Sequence, residues 1–207
     1  MSLRYAILAL LNVEPMTGYD LYKLFGESVG HVWYAPDSQI YPELRKMEKE
    51  ALIKGEDIAW GKNGTKRRYH VTVAGTEAFT GWMNEPMSFS RVRDPAHLRA
   101  AYLEWATPEA ARTQMRDHIA HNTVLLRQWE TKIREIDTGT SAMLNRRLEV
   151  TPEQDRHRTA AFKRFAYEGL IARAEAEIAW ANRGLRLIEE LYDADTATAP
   201  ELSTVRR

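Results

Sequence analysis

The chain reads as a mostly α protein with one small β-hairpin, divided into two domains, and three observations predict this. Helical and strand-like runs in the first part follow the order helix–helix–helix–hairpin–helix. The second part carries two long runs of apolar residues in alternating steps of four and three, the pattern of helices packed along a seam. Between them lies Asn84-Glu85-Pro86-Met87-Ser88-Phe89-Ser90, a polar, proline-bearing stretch of the kind that joins domains. The expected layout is a compact domain over residues 1–84, a linker over 85–94, a helical domain over 95–193 and a disordered tail over 194–207.

The elements follow in order. Residues 2–12 are apolar and leucine-rich, as in a buried first helix. Thr17 offers an N-cap with Asp20 three residues on, near the positive end of a second helix running to about Val29. Asp37 or Ser38 caps a third helix reaching about Ala51, with Pro42 at or just beyond its first turn. Strand-like runs over 56–60 and 65–71 flank Lys62-Asn63-Gly64, and Asn-Gly there is a strong hairpin signal because both residues tolerate positive φ. Thr72 caps a fourth helix through about Met83.

Beyond the linker, Asp94-Pro95, Thr107-Pro108 and Thr151-Pro152 each put a capping side chain before a proline, and Thr151 with Gln154 makes a capping box. The helix after Thr107 spaces Met115, Ile119, Asn122, Leu126, Trp129, Ile133 and Ile136 along one stripe. The helix after Thr151 does the same with Tyr167, Ile171, Ala174, Ile178, Ala181, Leu185, Ile188 and Tyr192. Helices of roughly 30–40 residues are about 45–60 Å long, more than a small domain covers. Either the two stripes pack on each other or a second subunit completes them. Both are expected, with Tyr167 to Ile188 of the second stripe assigned to a homodimer interface of coiled-coil type; a helical hairpin within a monomer is the alternative.

Composition narrows the function classes. The 207 residues are 44% hydrophobic and 28% charged, ordinary for a globular protein. No cysteine is present, which excludes disulfides, thiolate zinc sites and a cysteine nucleophile and fits a reducing cytoplasm, the expected compartment. The apolar run from Ala6 to Leu11 is too short to span a bilayer or to serve as a signal peptide, so no membrane partner is expected. Glycine-rich phosphate loops, a Gly-x-Ser-x-Gly elbow and His-Glu-x-x-His are missing, so neither an enzyme nor a cofactor is expected. His118 and His121 share a helix face beside Asp117, but without further ligands they predict no metal site. Trp105, Trp129 and Trp180 are candidates to line an aromatic ligand pocket, although Trp129 falls on the packing stripe.

The 29 basic and 29 acidic residues cancel, which argues mildly against a nucleic-acid binder. Local charge matters more, because separated surface charges are screened within about 10 Å. In the third helix Ile40, Leu44 and Met47 face the core, leaving Ser38, Gln39, Tyr41, Arg45, Lys46 and Lys49 on the other side. Gln pairs with adenine and Arg with guanine in a major groove, while Ser, Tyr and Lys hold phosphates. Lys62, Lys66, Arg67 and Arg68 cluster around the hairpin turn without an acid among them. A basic hairpin after a polar helix is the wing of a winged helix-turn-helix, which grips the DNA backbone. Taken singly, each of these has an ordinary reading as a solvated helix face or a protected sheet edge.

Tyr41-Pro42-Glu43-Leu44, Met47-Glu48-Lys49-Glu50-Ala51-Leu52-Ile53 and Lys66-Arg67-Arg68-Tyr69-His70-Val71-Thr72-Val73-Ala74-Gly75 resemble the signature of PadR-type transcriptional regulators. Thr17-Gly18-Tyr19-Asp20-Leu21 is similar to the start of that family's second helix, which adds Thr17 and Tyr19 to the DNA-binding candidates. Arg93-Asp94-Pro95 with Leu98-Arg99 and the long helices resemble the larger subfamily, whose C-terminal domain is of the virulence-activator type. There are two departures: Ala51 stands where the family usually has a helix-ending Gly, and Ser38-Gln39 replaces its more common Gly-Ser. The resemblance implies a homodimeric regulator of double-stranded DNA, usually a repressor at an inverted repeat, in some members released by a small aromatic or drug-like ligand. Two rival readings stay open: a protein-interaction scaffold that never touches DNA, favoured by net neutrality, and a protein whose primary task is small-molecule binding.

Overall fold

In the computed structural model, residues 2–25, 35–61, 64–87, 89 and 93–197 are described. The chain divides into two compact units, Met1–Phe89 and Ser90–Arg207. The first contains α1 (Ser2–Leu11), β1 (Met16–Thr17), α2 (Gly18–Leu24), α3 (Asp37–Lys49), β2 (Ile53–Trp60), β3 (Gly64–Val71) and α4 (Val73–Asn84). The strands form one antiparallel sheet in the order β1-β3-β2. Its core gathers Ile7, Leu8 and Leu11 of α1, Leu21 and Phe25, Ile40, Leu44 and Met47 of α3, and Ile53 with Tyr69 from the sheet. The i, i+4, i+7 spacing thus buries the predicted face of α3. Tyr5 of α1 stacks on Trp82 of α4, ring centroids 4.5 Å apart.

Several local expectations are corrected. The hairpin gains a third strand, β1, too short to carry an alternation. Pro36, rather than Asp37 or Ser38, occupies the N-cap of α3 and brings no side-chain cap, while Asp37 Oδ1 accepts from the Ser38 N–H at 2.7 Å. Pro42 lies inside α3, past the first turn, so it removes the N–H that would reach the Ser38 carbonyl. Thr72 caps α4 as predicted, accepting from Gly75 N–H at 3.1 Å. Ala51 takes φ 57°, so the turn that the family makes with glycine is kept by a residue with a Cβ. The Asn63 turn and the expected run of α2 to Val29 fall outside the described residues.

The second unit contains α5 (Pro95–Ala100), a 3-10 turn (Leu103–Trp105), α6 (Pro108–Asp137), α7 (Ala142–Glu149) and α8 (Glu153–Ala197). Asp94 Oδ1 caps α5 by accepting from Ala96 and His97 N–H, and Thr107 caps α6 through Ala110 N–H. The capping box expected at Thr151 is replaced by a different contact, because its hydroxyl donates back to the Arg147 carbonyl at 2.7 Å and closes α7. Neither α7 nor the 3-10 turn is marked by a repeating stripe. Helix α8 continues to Ala197, into the stretch expected as tail, and residues 198–207 fall outside the described residues.

The two predicted stripes pack on each other inside one chain. Ala111 and Met115, early in α6, meet Ala181 and Ile188, late in α8. Trp129, late in α6, meets Tyr167 and Ala174, early in α8. The helices are therefore antiparallel, and the His118–Glu177 hydrogen bond and the Arg164–Asp137 ion pair follow the same register. Tyr167, Ala174, Ala181 and Ile188, at strict seven-residue spacing, are at most 4% exposed. For four residues of this stripe the assignment to a dimer interface is corrected: Tyr167, Ala174, Ala181 and Ile188 are covered by the chain's own α6. Ile171 packs in the same cluster as Trp129, Leu185 packs beside Ala181, and Ile178 is half-buried.

Candidate nucleic-acid interface

Thr17 shapes the entry to α2. Its Oγ1 accepts from Asp20 N–H at 3.2 Å, while the Asp20 carboxylate accepts from the Thr17 N–H at 3.1 Å and its hydroxyl at 2.7 Å. This reciprocal cap leaves Thr17 only 6% exposed. The sequence placed Thr17 among DNA contacts; its hydroxyl is instead committed to the helix start. The next residue, Gly18, makes room for Tyr41, since a Cβ there would stand 2.5 Å from Tyr41 Cε1. Tyr41 of α3 is thereby packed beside the start of α2. Tyr19 follows, 58% exposed.

On α3, Ser38, Gln39, Tyr41, Arg45 and Lys46 are all exposed, as the periodicity predicts. Two acids of the same helix, Glu43 and Glu48, are held by arginines from elsewhere in the unit. Arg4 of α1 pairs with Glu43 at 3.0 Å and with Glu50, just past the helix end, at 2.9 Å. These bonds raise the Arg4 pKa above its ordinary value, the Glu50 hydrogen bond contributing most. Arg67 of β3 pairs with Glu48 at 2.6 Å and Asp57 at 2.9 Å. The Arg67 hydrogen bond holds the Glu48 carboxyl below the usual carboxylate range, with a smaller contribution from the Gly55 N–H.

The hairpin splits the basic cluster. Pairing of Glu56 with Arg68, Asp57 with Arg67 and Ile58 with Lys66, together with the alternation of a strand, puts Lys66 and Arg68 on one face and Arg67 on the other. Lys66 lies over the Trp60 ring and 5.7 Å from the Tyr19 ring centroid, so a cation–π contact ties the wing to α2. Arg68 sits opposite Thr17 across the β1–β3 pairing. The fourth basic residue, Lys62, lies outside the described residues. Net neutrality conceals a local arrangement: Glu43, Glu48 and Glu50 are held by Arg4 and Arg67, while Arg45, Lys46, Lys66 and Arg68 enter no ion pair among the described residues.

The tryptophans separate into three situations. Trp180 borders a cavity of about 540 Å³ in the second unit, lined also by Leu103, Glu104, Met115, Leu187 and Tyr192. His97 stacks on its indole at 4.3 Å and His118 meets it edge-on at 5.3 Å. Trp105 is 86% exposed and Trp129 is 6% exposed, and neither lines this cavity, so as ligand contacts there both are corrected. His118 Nε2 donates to Glu177 Oε2 at 2.9 Å, a contact between α6 and α8. No helix among the described residues is long and apolar enough to cross a membrane.

Residues that the sequence reading passed over are Gly18, which seats Tyr41, and Arg4, which holds Glu43 and Glu50, whereas Arg67, expected as a DNA contact, holds Glu48 and Asp57. Gly18 stood inside the quoted Thr-Gly-Tyr-Asp motif, whereas nothing in the spacing of Arg4 points to Glu43 or Glu50.

Residues 7–81 match the profile of the Transcriptional regulator PadR-like family. The chain is 32% identical over 119 residues to the Negative transcriptional regulator PadR of Bacillus subtilis, a match covering 56% of this chain and 65% of that protein, less than two thirds of its length. Crystal structures of Bacillus subtilis PadR with operator DNA and with p-coumaric acid share its fold, with TM-scores of 0.70 and 0.68 at 23% identity, covering 91% of this chain and 99% of theirs. The Vibrio cholerae virulence activator AphA is similar at TM-score 0.63 and 25% identity, over 92% of this chain and 99% of its own. The motifs around α3, the winged fold and these likenesses agree in pointing to the PadR-like family of transcriptional regulators, whose profile residues 7–81 match.

Proposed function

We propose that the chain is a sequence-specific DNA-binding repressor that acts as a homodimer inside the cell and is released by a small ligand. One observation carries this reading: Tyr41, packed on Gly18, and Lys66, reaching Tyr19, join α3, α2 and the wing in one exposed surface bearing unpaired cations. In this reading α3 enters a major groove, with Gln39 and Arg45 at base edges and Tyr41 at an adjacent phosphate. Lys46, Lys62, Lys66 and Arg68 add backbone affinity that does not depend on sequence. The Bacillus subtilis PadR structure with operator DNA supports the same use of the fold.

A homodimer would place two α3 helices in successive grooves of an inverted repeat, half-site centres roughly 34–36 Å apart or a multiple of that. With Tyr167, Ala174, Ala181 and Ile188 buried against α6, the exposed apolar side chains Phe162, Phe165, Leu187 and Leu191 of α8 would meet the partner. The effector would enter the cavity beside Trp180, an apolar pocket with few polar groups, as drug-sized ligands prefer; Bacillus subtilis PadR solved with p-coumaric acid supports a small aromatic compound.

Selection of bound sequences from genomic fragments, with and without a panel of small aromatic compounds, tests this reading. Enrichment of an inverted repeat, lost when a compound quenches Trp180 fluorescence, is expected. No enrichment at low salt would favour the protein-interaction scaffold instead.

A further inference from the structure

We propose that Arg67 is a positioning residue that sets the angle between the wing and α3 through Glu48, and that it is not one of the phosphate contacts. This rests on the DNA-binding function proposed above and assigns a different task to one member of the basic cluster.

Four observations support it. Strand alternation points Arg67 away from the face that carries Lys66 and Arg68, so the three cannot share one strip of backbone. The guanidinium is already engaged: Nη2 donates to Glu48 Oε1 at 2.6 Å, Nε to Glu48 Oε2 at 3.4 Å and Nη1 to Asp57 Oδ1 at 2.9 Å. Glu48 Oε1 also accepts the Gly55 N–H at 2.8 Å, so one carboxylate of α3 holds both strands of the hairpin. The route is shaped for this contact. Arg67 crosses β2 over Gly55, where an added Cβ would stand 2.6 Å from Glu48 Oε1 and collide with the guanidinium.

Charge completes the case. One cation faces two carboxylates, so the Glu48–Arg67–Asp57 group carries a net negative charge. An approaching phosphate would meet that excess and not a free arginine. A planar, bidentate guanidinium fixes orientation as well as distance, which a lysine at the same place would not do. Such a partly exposed pair contributes little to folding stability. Its consequence is geometric: with the strut in place the wing and α3 meet the duplex in a single register, and without it the contacts no longer form together.

The test uses the full chain, an operator fragment from the selection and affinities measured over a range of salt. Arg68→Gln serves as the reference phosphate contact and should lower the salt slope by about one unit. Arg67→Gln should weaken operator binding roughly tenfold or more while leaving the slope unchanged. Glu48→Gln removes a negative charge from the interface and should nevertheless weaken binding. A phosphate role for Arg67 predicts the reverse on both counts, a slope lower by one for Arg67→Gln and tighter binding for Glu48→Gln, and either result overturns the proposal.

A second readout needs no DNA. In the free protein, amide exchange at Gly55 should be faster in Arg67→Gln than in the wild type, because the carboxylate that accepts its proton is no longer held. Unchanged Gly55 protection sinks the strut whatever the DNA data show. A wild type that binds no fragment removes the DNA-binding function, and this role with it, even where the exchange data confirm the clamp.

Discussion

The hydroxyl of Thr72 donates to the carbonyl of Ala51 at 2.7 Å, across a turn in which Ala51 holds φ at 57°. The same hydroxyl reaches the Leu52 carbonyl at 3.0 Å and accepts from Gly75 N–H at the start of α4. One side chain therefore closes the exit of α3 and opens α4, and it does so over a backbone conformation that costs an L-residue about 1–2 kcal/mol.

Ala51→Gly should relieve that cost. Part of the gain is returned as extra freedom in the unfolded chain, so stability should rise by about 1 kcal/mol. Thr72→Ala removes the cap and should lower stability by about 1 kcal/mol. Denaturant midpoints of the two variants, read at unchanged m-value, check both signs.

Trp129 should behave as core and not as ligand contact. Its indole Nε1 is buried with no hydrogen-bond partner among the described residues. Trp129→Ala should destabilise by roughly 3–5 kcal/mol through the cavity it leaves. Trp129→Phe should cost far less, because it also removes an unsatisfied donor. Effector binding in the Phe variant should be unchanged, as followed by the fluorescence of Trp180.

Glu48 should report on the strut through pH. Its carboxyl is held below the usual value of 4.5 chiefly by the Arg67 hydrogen bond. A depressed folded-state pKa means a contribution complete above about pH 4.5 and lost as pH falls through the lower folded value. The Gly55 amide shift, followed by NMR, should titrate with a midpoint below 4.5, and Arg67→Gln should move that midpoint up. A Gly55 midpoint that does not respond to Arg67→Gln would break the link.

Base reading should reside in α3. Arg45→Ala should relax preference at one operator position by about 1–3 kcal/mol, and Gln39→Ala should do so at another. Binding to every single-base variant of the operator checks this; uniform weakening would assign both residues to phosphates.

Much of this was legible in the chain because local physics dictated it. The spacing of Ile40, Leu44 and Met47 sets one face of α3, and Thr72 and Thr107 announce helix starts through their own hydroxyls. Both heptad stripes were visible too, yet a stripe carries no label for the chain that fills it, and here α6 and α8 fill each other. Long-range contacts left no trace: Glu48 lies 19 residues from Arg67, and Arg4 lies 46 from Glu50. The basic cluster looked like a single set because sequence order hides strand alternation, which turns Arg67 away from its neighbours. Ala51 marked a change of residue at the turn, while the backbone kept the glycine-like conformation because Thr72 and the Leu52 carbonyl hold it there.

The central claim is that the face shared by α3, α2 and the wing grips DNA, with Lys66 and Arg68 as its unpaired phosphate contacts. The most direct test is the salt dependence of operator affinity for the double variant Lys66→Gln, Arg68→Gln against the wild type. The slope of log affinity against log salt should fall by about two units, with binding to unrelated DNA weakened in parallel. An unchanged affinity and slope would contradict the claim.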